Sequence, residues 1–573
     1  MHIDIIPNRN SRPAILLRES WRENGKVMKN TLANISDWPP EKVALFRRLL
    51  KNEPLVSPSE VFSIERSLPH GHVEAILEMI RCTGLDKIIG TKRTRERDLV
   101  LAMIVERLIA PSSKLATTRL WHSTTLAQLL NVDDADEDEL YAAMDWLLER
   151  QPVIEKRFAS RHIGEGQQVF YDVSNSYYEG HCCPLARLGH DKDGKRGLPI
   201  IVYGVLTDVK GRPIAVEVYP GNTGDPSTVA DQVEKLKDRF ALQRVVLVGD
   251  RGTLTQTQID DLKKHPGIGW ISALRSEKIR KLVADNHLQL SLFDEKNIAE
   301  ISSADFPDER LIACFNPLLC DERRRKRQEL LDATEKELQR ICDEVHRRTK
   351  NPLSASEIGQ KVGKIIGRYK MAKHFEVSIA DAACNFKRKA ESIAQEAELD
   401  GIYVIRTSET RQNLSAEDTV RSYKNLAKVE QVFRTFKSID LRVRPIYHRF
   451  PDRVRAHIFL CLLAYYVEWH MRQALAPLLF DDEELAQDSK DRDPIKPAVS
   501  SKSAKKKKST KTNKEGLPVH SFRSLIMEMG TRSRNRCRLK SAAESPVIFQ
   551  DTEPTPLQAR AMELIRVYPV DGS

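Results

Sequence analysis

Between residues 169 and 274 the chain carries five β-rich runs in a set order. Residues 169–173 (VFYDV), 200–206 (IIVYGVL) and 214–219 (IAVEVY) read as strands, the last two joined by a turn signal at Asp208-Val-Lys-Gly211. That is a β-meander. A helical stretch over about 227–240 follows, then 244–250 (RVVLVGD), whose unbroken apolar run is the kind buried on both faces of a parallel sheet. A helix over about 255–264 and a strand over 268–274 complete a strand-helix-strand unit. A meander followed by such a unit predicts a mixed sheet and excludes all-α and all-β folds.

The flanking segments differ in texture. Residues 1–56 form an N-terminal segment, and 57–160 have helical apolar spacing, as in Val73, Ile76, Leu77 and Ile80, predicting an all-α module. Ala110-Pro111-Ser112-Ser113 ends one helix and offers a serine cap for the next, which starts near Lys114. The acidic run 133–139 fails as a calcium loop, since Glu139 stands where glycine is needed, and suits a helix N-terminus. Residues 166–276 hold the first part of the core. The stretch 277–399, with a highly charged helix over 321–348, looks like an α+β insertion. Residues 401–406 resume as a strand, 417–439 read as one helix, and the second part of the core runs over 400–480. Lysine crowds 481–516, predicting an unstructured basic linker or arm, and 517–573 read as a small helical appendix.

The longest apolar run, residues 458–467, is ten residues, about half of the roughly 20 that a membrane span needs, so it predicts a buried core helix. No apolar leader opens the sequence, which points to a reducing, cytoplasmic compartment. The 92 Lys and Arg against 81 Asp and Glu leave +11, a bias toward a polyanionic partner that ordinary basic proteins also show. Nine cysteines are scattered, and Cys182 and Cys183 beside His181 and His190 read as loop thiols more readily than as a metal cluster. Gly189-His-Asp-Lys-Asp-Gly194-Lys195 approaches a phosphate loop, but Arg196 stands where Ser or Thr should ligate magnesium and Pro199 blocks the following helix.

Acids placed in strands are more telling. Asp172 interrupts the first apolar run and Asp250 ends the fourth, positions where a charge costs free energy unless it is paired or metal-bound. Strand-end caps or ion pairs account for either residue alone. On the helix over 417–439, Tyr423, Leu426, Glu430 and Lys437 fall within roughly a 60° sector at 100° per residue. Val429, Val432, Phe433 and Phe436 form the apolar stripe beside them, which puts Glu430 at the rim of the packed face; a solvated helix position is the plainer alternative.

The ordered series Tyr171-Asp172-Val173-Ser174, the 189–194 loop, Pro220 to Asp225, Gly249-Asp250-Arg251-Gly252, Tyr423 to Glu430, Phe433 to Lys437 and Arg444 to Arg449 resembles the DDE transposases of bacterial insertion sequences. The branch is that with a Tyr-x2-Arg-x3-Glu-x6-Lys signature. The resemblance implies a ribonuclease H-like mixed-sheet core interrupted by an insertion. Asp172, Asp250 and Glu430 would be the catalytic acids and the ligands of Mg2+, with Mn2+ as substitute. It further implies contacts of Tyr423, Arg434, Lys437, Arg251 and Arg449 with double-stranded DNA at element ends and target, no membrane, and a homodimer in the active complex. Leu426 departs from the signature's arginine, with Arg434 or Lys428 as substitutes. The expected reaction is cleavage at element ends and joining of the 3′ hydroxyl to target DNA; a related nuclease and an inert DNA-binding derivative are the rivals.

Overall fold

The structure, a computed structural model, describes residues 1–8, 12–53, 62–195, 197–293, 296–437, 441–484, 492–496, 499–539 and 547–569. Arg196, the end of the helix read over 417–439 and parts of the lysine-rich stretch lie outside them. The chain divides into two compact units, residues 1–68 with 533–553, and residues 69–532 with 554–573.

In the first unit, β1 (His2–Ile6), β2 (Ala14–Glu23) and β3 (Lys26–Asn34) form an antiparallel sheet. Asn24 and Gly25 join β2 to β3, both at positive φ (48° and 78°), the backbone that a tight hairpin turn demands. Helix α1 (Pro40–Leu50) begins on a proline, where a missing N–H costs nothing, and its Val43 meets Ile3 and Ile35 in a small core. β4 (Phe62–Pro69) belongs to a second three-stranded sheet in this unit. The all-α expectation for residues 57–160 therefore needs correction: β4 precedes its helices, and three further strands lie in the segment before it. β3 is exposed along its whole length, so it lacks the apolar alternation by which a strand is read.

The second unit opens with helices. α2 (Gly71–Thr83) and α3 (Arg95–Ile109) are followed by α4 (Lys114–Leu120), whose first turn is capped by the Ser113 hydroxyl, and α5 (Glu137–His162), capped by Asp136. The acidic run thus sits at a helix start, where negative charge meets the positive end of the helix dipole.

β5 (Gln168–Tyr177), β6 (Ile200–Thr207) and β7 (Pro213–Pro220) form the antiparallel meander, and β8 (Val245–Val248) and β9 (Ile268–Ala273) the parallel unit. The block after residue 276 then divides. β10 (Ile298–Ile301) and β11 (Arg310–Phe315) join the same sheet. The long helix α6 (Pro317–Arg347), α7 (Ala355–Tyr369) and the hairpin β12 (Phe375–Ala380) and β13 (Ala383–Arg388) share an apolar core of their own, including Leu338, Ile358 and Cys384. β14 (Ile402–Thr407) returns to the main sheet, whose order is β10-β11-β14-β9-β8-β5-β6-β7.

Helix α8 (Ala416–Lys424) and helix α9 (Ala427–Lys437) stand where one continuous helix is predicted. Asn425 and Leu426 form a turn between them, with the Leu426 N–H bonded three residues back to Tyr423. Asparagine competes with the helix backbone for hydrogen bonds, which favours such a break. α10 (Pro451–Leu475) is the predicted core helix, buried nearly all round between β7 and helices α3 and α5. Its Tyr466 stacks on Phe158 of α5 with ring centroids 4.4 Å apart.

The lysine-rich stretch is ordered over α11 (Lys502–Thr510), in place of the expected linker. Composition misleads there because Lys507 is buried and donates to the carbonyls of Ala476 (3.0 Å) and Leu479 (3.3 Å). α12 (Phe522–Gly530) packs on α2, while β15 (Ser533–Leu539) and β16 (Ile548–Asp551) pair with each other in the first unit. α13 (Pro556–Arg566) returns to α2, so the segment predicted as a helical appendix also supplies strands.

Candidate active site

Strand register places the first two acids. β5 and β8 run parallel with Phe170 beside Val248, so two residues further along Asp172 comes level with Asp250. Alternate residues of a strand face one side, and neighbouring strands lie about 4.8 Å apart, so both carboxylates leave the same face of the sheet. The antiparallel partner β6 sets Ser174 opposite Tyr203, which puts Tyr203 on that face too. Tyr203 meets Phe433 and Phe436 of α9, with centroids 5.8 and 6.4 Å away. α9 therefore covers the face on which Asp172 and Asp250 emerge, and it brings Glu430 with it.

Local sequence shapes each position. Asp250 Oδ1 accepts from the N–H groups of Gly252 (3.1 Å) and Thr253 (2.7 Å), a side-chain turn that ends β8. A Cβ at Gly249 would stand 2.9 Å from the Leu254 side chain, which would have to shift to admit it. Asp172 Oδ1 accepts from the Val173 N–H at 2.8 Å. Burial pushes the Asp172 carboxyl up to about 7, with the Asp250 charge adding and the Lys192 ammonium opposing.

Glu430 is exposed at the edge of α9, whose Val429, Val432, Phe433 and Phe436 are buried, the rim position predicted for it. Tyr423, at the end of α8, lies within the field of all three acids. Burial pushes its hydroxyl up to about 12, and Asp250, Glu430 and Asp172 each add to the rise while Arg251 opposes it. Among the described residues, no three His, Cys, Asp or Glu side chains stand close enough to hold a metal ion. The acids thus share one side of the sheet without forming a closed cluster. Their donor set, carboxylate oxygens alone, is that of a hard divalent cation.

The basic residues divide. Arg251, Arg434 and Arg449 are exposed, whereas Lys437 is half-buried and donates to Asp193 Oδ1 at 2.9 Å. Burial lowers the Lys437 ammonium below its usual range, with Asp193 opposing. Leu426, where the signature has arginine, is buried in the main core. Lys428, named as a substitute for that arginine, donates to the Val209 carbonyl (2.7 Å) at the β6–β7 turn.

Sequence reasoning gave no role to the residues around the 189–194 loop. Lys192 donates to the Val173 carbonyl (2.6 Å) and to Asp225 (2.8 Å), which sets its charge beside Asp172. Asp193 holds both Lys437 and Arg444, the latter at 3.0 Å. A loop with alternating acids and a lysine was visible, but its partners lie on distant segments.

Comparison with known families adds two matches. Residues 184–467 match the family model described as the transposase DDE domain, and residues 3–56 match the IS1634 family transposase N-terminal domain. Among solved structures, a piggyBac transposase synaptic complex with hairpin DNA aligns at a TM-score of 0.34 and 9% identity, over 80% of this chain and 77% of that chain. Among curated proteins, nothing matches the chain.

Proposed function

Since the chain belongs to the DDE transposases of insertion sequences, enzymes of metal-dependent DNA cleavage and strand transfer, we propose that Asp172, Asp250 and Glu430 are its catalytic acids. The observation that carries this reading is the shared face: Asp172 on β5 comes level with Asp250 just beyond the end of the adjacent β8, and α9, with Glu430 at its exposed edge, packs on that face. The sheet supports a ribonuclease H-like core, because the first five strands of this series lie in the order third, second, first, fourth, fifth.

The three carboxylates would hold Mg2+, with Mn2+ as substitute, and they must approach more closely than they stand to do so. With two ions held there, the site would gain activation of the attacking oxygen and stabilisation of the leaving 3′ oxygen of a phosphodiester. The chain's own residues arrange the rest. Lys192 compensates the buried Asp172 charge, and Asp193 fixes the Lys437 ammonium and the Arg444 guanidinium beside the sheet face. Tyr423 keeps its proton at neutral pH and so can donate a hydrogen bond to a phosphate oxygen. Exposed Arg251, Arg434 and Arg449 are free to meet the backbone of double-stranded DNA at element ends and target, positioning it without reading sequence. Two element ends brought together call for a homodimer in the active complex, and the work is done in the cytoplasm. No helix among the described residues is long and apolar enough to cross a membrane.

Replacing Asp172, Asp250 or Glu430 by alanine should abolish Mg2+-dependent cleavage of element-end DNA while leaving binding in place. Cleavage that persists in any one of the three would remove that residue from the set. Transfer of a pre-nicked end to a target plasmid separates a transposase from a nuclease, and intact binding with no cleavage by the unaltered protein would identify an inert derivative.

A further inference from the structure

A second basic feature lies away from the acids. The α3–α4 connection and the segment 442–450 line an open cavity of about 420 Å3 with no aspartate or glutamate in its lining. Arg107, Lys114, Arg442 and Arg449 line it, together with His448 and His457. A water-filled void does not call for such a concentration of cations, which repel one another unless an anion separates them.

Lys114 is the decisive residue. Its side chain is nine-tenths buried, with the whole residue 4% exposed, and it makes no ion pair or hydrogen bond with any described residue. Burying an unpaired ammonium costs several kcal/mol in general, so an unpartnered lysine is retained against a stability cost. Burial, joined by the neighbouring Arg107 charge, lowers it to about 7. Arg107 is itself 6% exposed and, among the described residues, hydrogen-bonds only to the carbonyls of Leu441 (3.5 Å) and Arg442 (3.4 Å), long contacts for a guanidinium. The acids nearby lie outside the lining. Glu106 is buried and raised to about 7, with the Arg107 charge opposing the rise, and Asp145 is taken by Arg453 at 3.1 Å.

We propose that this cavity is a phosphate-binding site, in which Lys114 and Arg107 hold the anion from below and Arg449 closes over it from the exposed side. Its position bears on the proposed function, on which the choice of DNA as phosphate source rests. Arg444 also lines the cavity and pairs with Asp193, which in turn holds Lys437. One segment, 442–450, thus runs from the acidic face to the cavity. A DNA backbone crossing the acids would find its next fixed phosphate position here.

The test uses the full chain with two variants. Lys114→Met keeps the shape of the buried side chain and removes the charge, and Arg449→Gln alters an exposed position that folding does not need. Inorganic phosphate at 10-fold its dissociation constant, against chloride at equal ionic strength, should raise the melting temperature of the unaltered protein by about 2 °C, and each variant should lose most of that rise. Duplex element-end DNA should bind each variant about tenfold more weakly, with the slope of log affinity against log salt shallower by about one. Loss of the phosphate response with unchanged DNA affinity also supports the site and assigns it to free phosphate. No phosphate response in the unaltered protein, together with unchanged DNA affinity and salt slope in both variants, overturns it. An Asp172→Ala protein separates the two readings, because it should lose cleavage if the acids are catalytic and yet keep the phosphate and DNA-binding responses of this cavity.

Discussion

The ammonium of Lys235, 1% exposed, lies 3.1 Å from Glu155 and 3.2 Å from Glu217. Glu155 is equally buried, and its Oε1 accepts from the Val216 N–H (3.0 Å) and from Gln151 (2.8 Å), which ties α5 to β7. Removing one member of such a group leaves an uncompensated charge in a low-dielectric interior. Lys235→Met is expected to lower stability by about 3–5 kcal/mol, whereas Lys235→Met combined with Glu155→Gln should recover much of the loss. Urea denaturation of the three proteins measures both, and a single variant as stable as the parent would show that the group contributes nothing. The same contrast explains which charges could be read in advance. Asp172 and Asp250 interrupt or end apolar strands, so their cost is written locally. Lys235, Lys114 and Asp193 lie among other polar residues, and only the chain's return from distant segments buries or pairs them.

At the scale of elements, the break between α8 and α9 alters what the helical wheel implied. Tyr423, Leu426, Glu430 and Lys437 share a face only if one helix runs through all four, yet the turn at Asn425 and Leu426 divides them. Leu426 then turns inward and joins the main core, while Tyr423 reaches the acids from α8 and Glu430 from α9. Strands and the core helix were legible because apolar runs report burial directly, whereas the break depends on packing from both sides. Restoring the signature's arginine should therefore not restore a DNA contact. Leu426→Arg buries a guanidinium where a leucine packs, and it is expected to cost on the order of 3 kcal/mol with no gain in affinity for element-end DNA. Leu426→Met, which conserves volume, should stay within about 1.5 kcal/mol of the parent. Denaturation midpoints and end-binding titrations check the pair, and tighter DNA binding by Leu426→Arg would show that the position does face DNA.

For the whole molecule, the separation of the second and third acids in sequence has a topological cause. β11 and β14 are neighbouring antiparallel strands with Phe315 opposite Ile402, so everything between them is one hairpin connection grown to the size of a domain. Its two ends meet: the Asn316 N–H donates to the Gly401 carbonyl at 2.9 Å. The helices and the β12–β13 hairpin within it bury their own core, separate from the core of the sheet. An insertion could be suspected from composition, but that β10 and β11 belong to the main sheet could not, since strands of four to six residues resemble any short apolar run. Because the connection leaves and returns at one point, residues 317–400 should be replaceable by a short Asn-Gly turn without disturbing the register of β11 on β14. The shortened protein is expected to stay folded, with backbone amides of β9 and β14 as protected from hydrogen exchange as in the parent. It should also keep the cleavage that Asp172, Asp250 and Glu430 perform, because none of the three lies in the removed segment. Arg323, on α6, lines a small cleft with Tyr423 and Arg251, and of the lysines and arginines removed it is the one in that cleft, so the removal should instead weaken DNA binding by about tenfold or less. Loss of protection in β14 would mean that the segment is part of the sheet's own folding unit, and loss of cleavage with protection intact would place a catalytic contribution inside it.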